Sequence, residues 1–138
     1  MADNTILISK HIQKALENSE EIKSILGTDQ HKIFPLLQPQ ELTFPFIVHS
    51  RQSLNVTYTK DLQFHLGWTN TIQYVVTCVS NEYIQCLELA NAVRHTLEGF
   101  YQKDESIRIS PIMLQNVAEY TIENDAFVEE LTFTIQAE

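Results

Sequence analysis

Residues 71–80 alternate with a period of two and residues 81–99 repeat with the period of a helix, and neither proline nor glycine intervenes before Gly99. That switch constrains the chain more than any other feature. In the first segment Ile72, Tyr74, Val76 and Cys78 fall on one side and Gln73 and Thr77 on the other, as a strand requires. Val75 and Val79 give its second side an apolar share, so partial cover is expected on both faces. In the second segment Tyr83, Cys86 or Leu87, Ala90, Val93 and Leu97 make one helical face, with Glu82, Glu88, Arg94 and Glu98 elsewhere. Ser80 or Asn81 is expected to cap its start and Gly99 to end it.

Other segments obey the same two periods. Ile8, Ile12, Ala15, Ile22 and Leu26 make a helical stripe, with Ser19 filling the missing step. Asn18-Ser19 before Glu20-Glu21 reads as an N-cap with an acidic first turn, so this helix can break there, and Gly27 stops it. Lys32-Ile33-Phe34-Pro35 and the run from Phe44 to Ser50 read as short strands interrupted by prolines, the first at an edge. Ile107 and Ile109 precede Pro111, and Ile112 and Leu114 follow on the opposite parity, which predicts a bulge at the proline. Leu131, Phe133 and Ile135 alternate with Thr132, Thr134 and Gln136 as a half-buried closing strand. The order predicts an α+β domain over residues 1–138: one mostly antiparallel or mixed sheet of four to five strands, with two main helices packed against it.

A net charge of −9 with nine scattered basic residues opposes sequence-independent binding to phosphate backbones, so no specific nucleic-acid partner is expected. The start lacks a basic region followed by an apolar core, and no stretch reaches roughly 18 apolar residues, so neither a secretion signal nor a membrane partner is expected. Cys78 and Cys86 have no second pair to form a zinc ribbon or disulfide framework, which suits a reducing cytoplasm.

The reactive residue types form no recognisable site in the sequence. His11, His31, His49, His65 and His95 lack a second histidine or a cysteine at ligand spacing, so metal ligands are expected to be none and the histidines structural or superficial. Glu20-Glu21 and Glu129-Glu130 are adjacent in the chain and point apart, so neither pair makes a shared acid–base site by itself. No phosphate loop or nucleophile elbow is present, and the expectation is no catalytic residue, no cofactor and no enzyme. What stands out is the segment 54–68, which carries Tyr58, Phe64 and Trp68 with Lys60 and Asp61 as its strong charges. It reads as a binding loop or extended hairpin, and these five residues form the candidate assembly loop, the alternative being that the rings fold back onto the core.

In order and spacing the chain resembles the small tail-completion or tail-terminator proteins of tailed bacteriophages and prophages. The resemblance is carried by Ile25-Leu26-Gly27, Lys32-Ile33-Phe34-Pro35 and Phe44-Pro45-Phe46-Ile47-Val48. It continues through the strand Tyr74 to Ser80 and the helix from Tyr83 through Leu87-Glu88-Leu89-Ala90-Asn91-Ala92-Val93-Arg94 to Leu97-Glu98-Gly99. It implies a structural protein whose copies form a ring, typically hexameric, closing the head-proximal end of the tail tube. The implied partners are the chain itself, a tail-tube protein and a head–tail connector protein. The implied location is the bacterial cytoplasm during assembly and then the virion tail. Two other classes stay open: a small-molecule or protein-binding regulatory module and, below it, a small enzyme.

Overall fold

The computed structural model describes residues 4–27, 32–36, 44–58, 68–103, 107–122 and 126–138. A 3-10 turn, Thr5–Leu7, leads into helices α1 (Ile8–Glu17) and α2 (Glu20–Leu26). Strands β1 (Ile33–Pro35), β2 (Phe46–Tyr58) and β3 (Trp68–Ser80) follow, then α3 (Tyr83–Leu97). The chain closes with β4 (Gln102–Lys103), β5 (Arg108–Ile109), β6 (Met113–Ile122) and β7 (Ala126–Ala137).

The fold is α+β, as expected, but its parts are more numerous. Among the described residues seven strands form one mixed sheet in the order β1-β2-β3-β7-β5-β4, with β6 also paired to β7, in place of the expected four to five. Three helices replace the expected two, because the N-terminal stripe breaks at Ser19, whose Oγ accepts from the Ile22 amide and opens α2. The chain also does not run through Pro111 as one bulged strand. It leaves β5 at Ser110, restarts at Met113, and the bulge lies within β6 between Leu114 and Asn116. Proline has no N–H for a ladder, so separating two strands satisfies the same change of parity.

The sheet is antiparallel except for β1, which runs parallel to β2. The core lies between the sheet and the helices. Ile8, Ile12 and Leu16 of α1, Ile22 and Leu26 of α2, and Cys86, Leu89, Ala92, Val93 and Leu97 of α3 face Ile72, Tyr74, Val76 and Cys78 of β3 and Leu131, Phe133 and Ile135 of β7. Each such aliphatic side chain contributes about 2 kcal/mol by burial. On the other face, Phe46, Val79, Ala126 and Val128 make a second, smaller cluster, with Phe34, Phe44 and Val48 against it. Val79 therefore gains the cover its side of the strand calls for.

The predicted stop at Gly99 holds: it sits at φ +82 after the last turn of α3, a conformation that disfavours a side chain. The start of α3 falls slightly later than expected. Ser80 accepts from the Glu82 amide through Oγ and donates to Gln85, so its hydroxyl organises the turn into the helix.

Candidate functional site

Two places hold side chains that the core does not absorb. One is the far end of the β2–β3 hairpin. Each strand runs 13 residues, and Tyr58 pairs with Trp68 as the last described partners, so the segment first read as a loop contributes Leu54 to Tyr58 and Trp68 to the ladder. Lys60, Asp61 and Phe64 lie outside the described residues. Leu54 to Tyr58 and Trp68 of the candidate loop thus belong to paired strands, and residues 59–67 lie outside the described residues.

The other is the free edge of β6, beside the first turn of α3. Among the described residues β6 pairs on one side only, with β7, and leaves Val117, Tyr120 and Ile122 exposed; Ile84 of α3, next to Tyr83 in sequence, is 63% exposed. Opposite residues of an antiparallel pair share a face. Glu119 stands opposite Glu129 on the helix side, while Tyr120 and Ile122 stand opposite Val128 and Ala126 on the helix-free side. Tyr83 of α3 reaches Glu119, its hydroxyl 3.1 and 3.0 Å from the two carboxylate oxygens, and its ring meets Phe127 edge-on at 5.5 Å. On the reverse side Tyr120 donates to Glu130 at 2.9 Å.

Glu129 is only 4% exposed, and its Oε2 has no hydrogen-bond partner among the described residues. Loss of solvent, followed by its hydrogen bond and charge contact with Glu119, pushes its carboxyl up to about 7. Burial pushes the Cys86 thiol up to about 11 and the Cys78 thiol well above its ordinary range, so neither is an activated nucleophile. Cys86 Sγ donates to the carbonyls of Cys78 and Phe127 at 3.4 Å, which agrees with the packing role read from the sequence.

A third polar group is enclosed completely. His49 is 1% exposed and bonds Tyr74 Oη through Nδ1 at 2.6 Å and Gln13 Oε1 through Nε2. Gln13 Nε2 donates to the Ile33 carbonyl and to Glu17, so its oxygen is the acceptor. Nε2 of His49 then carries the proton, and Nδ1 accepts from Tyr74. Burial depresses the imidazole to about 4, the Glu17 charge opposing, and lifts the Tyr74 phenol to about 12. This neutral chain ties α1 to the sheet.

Of the other histidines, His95 lies on the exposed side of α3, 3.1 Å from Glu21, and His11 lines a cavity of about 400 Å³ with Lys10, Lys14, Asn18 and Phe100. His31 and His65 lie outside the described residues. Among the described residues no group of three or more His, Cys, Asp or Glu could hold a metal, and no helix is long and apolar enough to cross a membrane.

Sequence reasoning missed the Glu119–Glu129 pairing because it compared Glu129 with its neighbour Glu130, and those two do point to opposite faces. The available signal was the hairpin itself. In an antiparallel pair each step back along one strand is matched by a step forward along the other, so the pairing of Ile122 with Ala126 carries with it that of Glu119 with Glu129.

The chain matches no protein-family model and no curated protein sequence. Its fold is similar to that of a chain in the virion of a native gene transfer agent particle, with a TM-score of 0.72 and 16% identity over 92% of this chain and 91% of that one. At that identity the likeness is one of fold.

Proposed function

We propose that this chain, a single domain over residues 1–138, is a structural protein of a phage-like virion. In this reading its copies form a ring, hexameric in the resembling family, that closes the head-proximal end of a tail tube and helps join it to the head. The observation that carries the reading is the likeness to a virion component over nearly the full length of both chains, which leaves little of either chain outside the shared architecture. The family resemblance of the packing positions points the same way. The role is architectural, without catalysis or a cofactor, and its partners are further copies of itself, the tail-tube protein and the head–tail connector. It acts in the bacterial cytoplasm during assembly and stays in the virion tail, with no nucleic-acid or membrane partner.

The segment carrying Tyr58, Lys60, Asp61, Phe64 and Trp68, whose Tyr58 and Trp68 end the β2–β3 ladder, acts in this reading as an arm that meets a neighbouring copy or the tube. Aromatic side chains are the usual anchors of such contacts. Electron microscopy of particles made with and without the protein tests the role: open or overlong tails without heads are expected in its absence. Normal, head-joined tails in its absence would sink the proposal. Tyr58→Ser and Phe64→Ser are expected to lower incorporation into tails with little change in the stability of the isolated chain.

A further inference from the structure

The Glu119–Glu129 pair has a chemical need that the chain does not meet. A buried carboxyl with an unpartnered oxygen is costly unless it stays protonated or gains a positive partner. The groups facing it are Glu119 from β6, Tyr83 and Cys86 from α3, and Cys78 from β3. Among the described residues none of the groups facing it is a cation. Beside the pair, the open edge of β6 and the exposed Val117 and Ile84 supply unpaired backbone and apolar surface, so a protein surface can cover the place where the cation would enter.

The same chain carries the complementary surface elsewhere. It has only nine basic residues, yet two of them, Lys10 and Lys14, line one cavity with His11 and Phe100. Tyr83, the first residue of α3, touches Glu119, while Phe100 follows the last turn of α3 and lines the cavity. The acidic and basic places thus lie toward opposite ends of a helix of 15 residues, about 22 Å long. Two different patches on one chain are what a head-to-tail contact between identical copies needs.

We propose that the Glu119–Glu129 pair receives the ammonium of Lys14, aided by Lys10, from a second copy of this chain, in a head-to-tail contact that also covers Val117 and Ile84. The inference rests on the assembly reading above and names the self-contact. In the free chain Glu129, its carboxyl raised to about 7 by loss of solvent, retains part of its proton near neutrality. The incoming ammonium takes its place beside the carboxylates and the proton is released to solvent, so association strengthens as pH rises from 6 to 8. The two thiols and the Tyr83 phenol are all shifted upward and stay protonated over that range, so among these groups on the acidic side of the contact Glu129 is the one that titrates.

Sedimentation velocity on the full chain, with circular dichroism to verify folding, tests this. The wild-type dissociation constant is expected to fall about 10-fold between pH 6 and pH 8, and Glu129→Gln to flatten that dependence. Glu119→Lys alone, and Lys10→Glu with Lys14→Glu together, should each weaken self-association at least about 10-fold, whereas an equimolar mixture of the two restores it, because each then offers the charge the other lacks. Folded variants whose mixture stays dissociated overturn the proposal, as does a wild-type chain that is monomeric at about 0.5 mM or associates equally at both pH values. Loss of association in Glu119→Lys with normal association of the lysine variant overturns the second copy as occupant and points to a cation from another protein. Normal tails built from both variants overturn this contact and leave the tail role standing, whereas tails that never need the protein overturn the role itself.

Discussion

His49 and Glu129 are both ionisable, both almost wholly buried and both on the helix side of the sheet, yet they are treated in opposite ways. His49 is held by Tyr74 and Gln13 through both ring nitrogens, and Gln13 is held in turn by the Ile33 carbonyl and Glu17. Glu129 faces another carboxyl and keeps an oxygen without a partner. The first arrangement completes its hydrogen bonds within one chain and adds to stability. The second lowers the stability of the isolated chain. The fold itself completes the first group, whereas in the contact proposed above a second copy supplies the charge that the second one lacks.

Breaking the finished side is expected to have the largest effect. His49→Ala removes a buried ring and takes one hydrogen bond each from the Tyr74 hydroxyl and the Gln13 side-chain oxygen, and should cost about 3 kcal/mol in urea unfolding at pH 7. A loss below about 1 kcal/mol would mean that the network stabilises little.

Acid probes the same network without a mutation. Because the folded-state value of His49 is depressed, its stabilising contribution is present above the unfolded value of 6.5 and is lost as pH falls through about 4. Stability should decline over that window by up to roughly 3 kcal/mol, and His49→Gln should flatten that part of the curve. An unchanged slope in the variant would transfer the effect to other groups.

Glu129 has the opposite sign. Its folded-state value is raised, so its contribution is present below the ordinary 4.5 and is lost as pH rises through about 7. Glu129→Gln keeps a donor toward Glu119 without the charge, and should raise stability at pH 8 by about 1–2 kcal/mol while changing it little at pH 5. Destabilisation at pH 8 would erase the contrast with His49. The smallest effect is expected from Tyr83→Phe, which removes an exposed hydroxyl from Glu119 and should change the stability of the isolated chain little. A larger loss would place Tyr83 within the fold's own network.

What the sequence determined by itself is everything set by the period of one segment. The inward side of β3, the buried stripe of α3 apart from Tyr83, and the stops at Gly27 and Gly99 were all legible, because side-chain direction in a strand or helix follows from its own backbone geometry. The break at Ser19 was legible as well, since a cap is a local hydrogen bond. Tertiary structure alone decided which strands lie side by side. β7 sits between β3 and β6, β1 runs parallel to β2, and residues far apart in sequence, such as Thr71 and Gln136, become partners. Pairing settled the count of strands too, because β4 and β5 are two residues each and exist only as partners of neighbouring chain. The candidate sites divide along the same line. The aromatic content of residues 54–68 can be read directly, but the opposition of Glu119 to Glu129 needs a hairpin register, and the burial of Glu129 needs α3 folded over β7. A period states which way a side chain points, and only the packed neighbours decide what it meets.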